Sequence, residues 1–174
     1  MTSGRVLGAT LALTVALVLQ VSVLPPLAWH GVVPNVVLLV VVGAALVRGA
    51  RFAMVAGFVA GVLLDLAPPA DHVAGRWALA LLLVGYVAGR VAPDTRPTAP
   101  AVLATVAASS FLGTSVFALS GLVLRDPAVA IPDLLQAIAG SLAWDLLVTP
   151  LVLPVVMGLF RRLEPFDAGR VAAR

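Results

Sequence analysis

The sequence contains no cysteine and no lysine, and only 11% of its 174 residues are charged. Without cysteine, disulfides, thiolate metal sites and thiol nucleophiles are excluded. A soluble domain carries about a quarter charged residues. So little charge, beside 61% hydrophobic residues and a mean hydropathy of +1.12, places the chain in the membrane class. The length suits one compact bundle with no separate soluble domain. The basic pI of about 11.0 is not a nucleic-acid signal. It reflects a net charge of only +3, and the eleven arginines stand mostly at the ends of apolar segments rather than on one face.

Catalytic signals are equally sparse. His30 and His72 fall in loops and lack metal-ligand spacing. No Ser/His/Asp arrangement can be argued from the positions present, and no P-loop or dinucleotide fingerprint occurs. The sequence therefore reads as non-catalytic, with no metal and no cofactor.

What the chain does have is long apolar runs. A bilayer core about 30 Å thick needs ~20 mostly apolar residues per helix. The sequence predicts an all-α membrane protein, a compact bundle of six transmembrane helices over residues 1–160, with a short cytoplasmic tail at 161–174. The helices are expected at about 6–24, 32–47, 52–66, 77–90, 99–124 and 134–160. The first run, behind Arg5, has a rival reading as a signal peptide. Its apolar stretch is too long for that and no small-x-small cleavage site follows, so it reads as an uncleaved helix. Pro34 falls near the first turn of the second helix, where a missing N–H costs little. Pro150 and Pro154 fall inside the last helix, remove the bonds to the carbonyls of Leu146 and Pro150, and are expected to kink it.

Arginine placement orients the bundle. With the N-terminus inside, the inner segments hold Arg5, Arg48, Arg51, Arg90, Arg96, Arg161, Arg162, Arg170 and Arg174, and the outer loops hold Arg76 and Arg125. Such a bias places both termini in the cytoplasm. Trp29 and Trp77 fall at the outer boundary, where interfacial aromatics belong.

Small residues recur four apart at Gly4, Gly8, Ala12 and Ala16, and at Ala53, Gly57 and Gly61. Gly85 and Gly89 do the same, and Ser109, Gly113 and Gly121 are compatible. Such stripes mark faces where helices approach closely. Polar residues within the spans are few. Gln20 ends the first stripe, Asn35 follows Pro34, and Asp65 continues the Gly57–Gly61 face. Ser141, Asp145 and Thr149 form a polar stripe in the last helix, beside Trp144. Intramembrane carboxylates are functional candidates by default. Asp65, near the outer end of its helix, reads either as such a candidate or as a cap for the following loop. Asp145 reads either as a midplane carboxylate or as a shallow one in a shorter last helix.

These residues resemble a known family. Pro34-Asn35-Val36-Val37-Leu38-Leu39, then Arg48, then Gly57-Phe58-Val59-Ala60-Gly61-Val62-Leu63-Leu64-Asp65-Leu66 is similar to MreD, the rod shape-determining membrane protein family. Gln20, Gly85-Tyr86 and Pro150 fit the same pattern, and Asp145 stands where the family often has Asn. The likeness spans almost the whole chain. It implies a non-catalytic component of the bacterial elongation machinery, acting as a scaffold or adaptor for MreC, and indirectly for MreB, RodA and a class B penicillin-binding protein, in lateral peptidoglycan synthesis. It further suggests that a small-residue face including Gly57 and Gly61 binds MreC, while Asn35 and Asp65 organise the outer side. The alternative is a substrate-binding subunit of an energy-coupling factor type vitamin transporter. There Asn35, Ser141, Trp144 and Asp145 would line a pocket, and Ala12-x-x-x-Ala16 would meet a coupling subunit.

Overall fold

The structure is a computed structural model that describes residues 2–29, 31–68, 72–91, 97–124 and 131–162. His30, Arg96, Arg125 and the tail beyond Arg162 lie outside them. Among the described residues the chain forms α1 (Thr2–Val18), α2 (Val36–Arg48), α3 (Ala50–Leu66), α4 (Arg76–Val91), α5 (Ala99–Val123) and α6 (Ile131–Arg162). The extended pairing among them is a single antiparallel bridge between Trp29 and Val32.

The helix boundaries follow local chemistry. After Val18 the first helix widens into a π turn, Leu19–Val23, before Pro25 and Pro26 turn the chain through one 3-10 turn. Helix α2 begins at Val36 and not at Val32. Pro34 disfavours helical backbone at Val33, and Asn35 caps the helix with its side chain. Pro34 therefore precedes the helix instead of sitting in its first turn. Gly49, at φ 76°, is at once the C-cap of α2 and the N-cap of α3, a left-handed conformation that favours glycine. Helix α6 runs unbroken through Pro150 and Pro154 and starts at Ile131, ahead of the predicted Leu134.

Helix α2 is the centre of the bundle. Every residue from Val36 to Ala45 is buried, and it packs against each of the other five helices. A helix apolar on all sides belongs in such a position. The most intimate pair is α3 with α4. A Cβ on Gly57 would overlap the carbonyl of Leu81, one on Gly61 the backbone of Trp77 and Ala78, one on Gly85 the carbonyl of Ala53, and one on Gly89 the backbone of Ala50. Four glycines, two from each helix, thus let the antiparallel backbones touch. Gly57 and Gly61, expected either to meet a partner or to serve the fold, lie against α4 within the chain.

The polar and apolar residues are distributed inside-out. Asp145 and Ser110 are fully buried and Asn35 is 3% exposed, whereas Leu151, Val155 and Leu147 are about 70% exposed. Ala99–Val123 and Leu134–Arg162 are each long and apolar enough to cross a membrane, and Leu7–Val23 and Val36–Arg48 are shorter apolar helices.

Candidate functional site

The first N–H groups of a helix have no intrahelical partner, and inside an apolar bundle each such group needs one. At the start of α2 every one of them is accounted for. The Asn35 N–H donates to Asp145 Oδ1 at 2.7 Å. The Val36 N–H reaches the Pro34 carbonyl at 3.1 Å. The Val37 N–H donates to Gln20 Oε1 at 3.0 Å, and the Leu38 N–H to Asn35 Oδ1 at 3.0 Å. The first regular bond, Leu39 N–H to the Asn35 carbonyl, follows at 3.1 Å. The π turn supplies Gln20, α6 supplies Asp145, and the Pro-Asn pair supplies the rest.

Asp145 is held from its other side as well. Ser110 Oγ of α5 donates to Oδ2 at 2.7 Å. Both carboxyl oxygens therefore have partners, one from α2's first residue and one from α5. An acidic group at a helix N-terminus also complements the helix dipole. Around it, Thr149 donates to the Asp145 backbone carbonyl at 2.6 Å, and Thr114 of α5 donates to Ser141 at 3.3 Å. The polar stripe of α6 thus faces α5 and α2, and Asp145 lies well inside a helix of 32 residues.

A second carboxyl caps a second helix. Asp65, at the end of α3, accepts from the N–H groups of Gly75 (2.8 Å), Trp77 (3.0 Å) and Ala78 (3.1 Å) at the start of α4. Of its two readings, the geometry gives the capping one. His72 Nδ1 lies 3.7 Å away. Beside it, Arg76 is buried, donates through Nε and Nη2 to the Phe117 carbonyl, and lies 3.9 Å from the Phe117 ring centroid. Trp77 stacks on the same ring at 4.4 Å. At the opposite end of the bundle, Arg48 donates to the Phe160 carbonyl at 3.0 Å and lies over the rings of Phe52 and Phe160. A cation near the last carbonyls of α6 complements that helix's dipole.

The structure therefore brings Gln20, Asn35 and Asp145 together, with Pro34 buried next to them, and places Asp65 in a separate capping site. Arg51, Arg161 and Arg162 are exposed, and Arg90 lies over Tyr86. Sequence reasoning missed Ser110 and Thr114, whose hydroxyls sit in an otherwise apolar α5, and it treated Arg76 only as a loop charge. A polar residue in a span is itself the signal that finds the first two.

Chemically, these groups stabilise backbone ends. Of the four residues the transporter alternative would use, Asn35, Ser141 and Asp145 make hydrogen bonds within the bundle, while the buried Trp144 Nε1 has no hydrogen-bond partner among the described residues. Ala16 is buried and Ala12 half-buried in the core, so the Ala-x-x-x-Ala pair is engaged internally. Among the described residues no group of three or more His, Asp or Glu side chains is placed to hold a metal ion.

The profile of one family, described as rod shape-determining protein MreD, matches residues 2–163. No curated protein and no solved structure matches the chain.

Proposed function

We propose, because the chain belongs to the MreD family of rod shape-determining membrane proteins, that it is a non-catalytic docking bundle of the cell-elongation machinery. Its helices present apolar outer faces to the spans of partner proteins, MreC first among them. Through MreC it acts on MreB, RodA and a class B penicillin-binding protein in peptidoglycan synthesis. The observation that carries this reading is the inside-out distribution of polarity. The buried carboxyls are consumed in capping helices, while large apolar side chains cover α1, α3 and α6 from outside. Such a surface suits packing against lipid and other helices.

All six helices cross the membrane in this reading, with both termini in the cytoplasm. Arg48, Arg51, Arg90, Arg161 and Arg162 lie at helix ends on one side, where positive-inside orientation wants them. The segment carrying α2 crosses with only 13 helical residues, about 20 Å. The lead-in Val33–Asn35 adds about 10 Å of extended chain. Non-helical backbone at that depth is tolerated where protein surrounds it and satisfies its polar groups.

The absence of cysteine makes topology directly testable. A single cysteine at Leu27 reacts with an impermeant maleimide in intact cells, and one at Val91 reacts only after permeabilisation. The reverse pattern rejects the orientation. Docking is tested by placing a photo-crosslinking amino acid at exposed Leu11, Val15, Val55, Val59, Leu147 and Leu151 in turn. Crosslinks to MreC are expected to cluster on one contiguous face. If no position yields MreC while the protein is present and folded, the docking reading fails.

A further inference from the structure

Among the described residues two open grooves border α6, and they differ in size and in charge. The groove between α1 and α6, floored by Val36 and Val40, is apolar from end to end, with a volume of about 380 Å³. The groove between α5 and α6 is larger, about 520 Å³, and ends on a charge. Its α6 wall runs from Thr149 and Pro150 through Pro154 and Gly158 to Arg161, opposite Val102 and Leu103 of α5. Leu153 and Met157 floor it, while the positions between them carry little bulk. The two prolines are compact, and a Cβ built on Gly158 meets nothing within 4 Å.

The dimensions suit one leaflet. From Thr149 to Arg161 the helix rises about 18 Å, against about 15 Å for half of a 30 Å hydrocarbon core. Arg161 is exposed, and it stands at the arginine-rich end of the bundle, next to the residue whose carbonyl Arg48 binds. We propose that this groove holds an acyl chain of one anionic phospholipid, with the Arg161 guanidinium on the headgroup phosphate.

An acyl chain moving from bulk lipid into the groove leaves one apolar medium for another, so chain burial by itself gives little selectivity. The guanidinium supplies the discrimination, because its planar fork matches a phosphate oxygen pair. The groove must therefore choose by headgroup charge. The wholly apolar α1–α6 groove has no such means.

The test is native mass spectrometry of the purified full-length chain in detergent, supplied with equimolar phosphatidylglycerol and phosphatidylcholine of identical acyl chains. One phosphatidylglycerol is expected to be retained with about fivefold preference, the effect of one basic residue beside an anionic headgroup. Arg161→Gln is expected to abolish the preference, while Arg162→Gln, outside the groove, leaves it intact. Gly158→Leu is expected to reduce retention of either lipid at least about threefold with little change in melting temperature, since a Cβ at this position meets nothing within 4 Å. The proposal is overturned if Arg161→Gln keeps the preference or Gly158→Leu retains as much lipid as the unaltered chain. It is equally overturned if Gly158→Leu displaces a second copy of the chain and no lipid. No partner protein is present in this measurement, so its outcome is separate from the fate of the MreC docking reading.

Discussion

Replacing Asp145 separates two roles that its position combines, accepting hydrogen bonds and carrying charge. In Asp145→Ala the Asn35 N–H and the Ser110 hydroxyl lose acceptors that now stand at 2.7 Å each. Ser110 can turn its hydroxyl to another acceptor, but the Asn35 amide is fixed at the head of α2. A buried N–H left without a partner costs about 1–3 kcal/mol. Hydrogen bonds between membrane helices average about 0.6 kcal/mol each, up to about 1.7. The sum is about 2–4 kcal/mol, which for a domain of this size lowers the melting temperature by roughly 4–16 °C. Asp145→Asn keeps a carbonyl for the Asn35 amide, and its NH₂ can donate to a reversed Ser110 hydroxyl. Its loss is expected to stay below about 1 kcal/mol. Thermal unfolding of the purified protein in one detergent, followed by tryptophan fluorescence, reads both variants. If Asp145→Asn destabilises as much as Asp145→Ala, charge and not hydrogen bonding holds the start of α2, and the capping argument is wrong. An Asp145→Ala variant as stable as the parent refutes it too.

Three further outcomes follow from the packing. Gly61→Ala places a methyl against the backbone of Trp77 and Ala78 and is expected to cost about 1–3 kcal/mol. Gly113→Ala meets only the side chains of Leu38 and Val84, at 3.1 and 3.2 Å, and is expected to cost less; equal losses in thermal unfolding contradict the contact geometry. Gln20→Leu removes the acceptor of the Val37 amide, so hydrogen exchange at Val37 is expected to accelerate while amides in the middle of α4 stay unchanged. Arg48→Lys loses the planar contact with Phe52 and Phe160 and is expected to cost about 1 kcal/mol. A lysine variant with undiminished stability argues that the arginine acts there as a point charge.

Much of the architecture was legible because lipid-compatible sequences obey few rules. Apolar length, arginine placement and glycine spacing suffice to read helices and to suspect close contacts. They do not say which helices make the contacts. The Gly57–Gly61 stripe advertised an interface, yet its occupant, α4, was identifiable only from the matching glycines at 85 and 89, whose reciprocal register with α3 requires the fold. The polar cluster was half legible. Gln20, Asn35 and Asp145 each stood out as polar residues in apolar surroundings, but their convergence is a tertiary event joining the π turn after α1 with α2 and α6. Ser110 escaped notice because serine passes as a small packing residue as readily as a hydrogen-bond donor. The start of α2 was misplaced because Val32 and Val33 continue the apolar run without a break in composition. Pro34 and Asn35 were the local signals that end the extended chain and begin the helix.

The bond between Asn35 and Asp145 joins positions 110 apart in the chain, and that separation orders the assembly of the protein. A ribosome delivers the central helix second and its capping carboxyl last. Without α6, the first amide of α2 lacks the acceptor that Asp145 provides. A chain that stops short of α6 therefore leaves the central helix without this cap, however many of its other helices have formed.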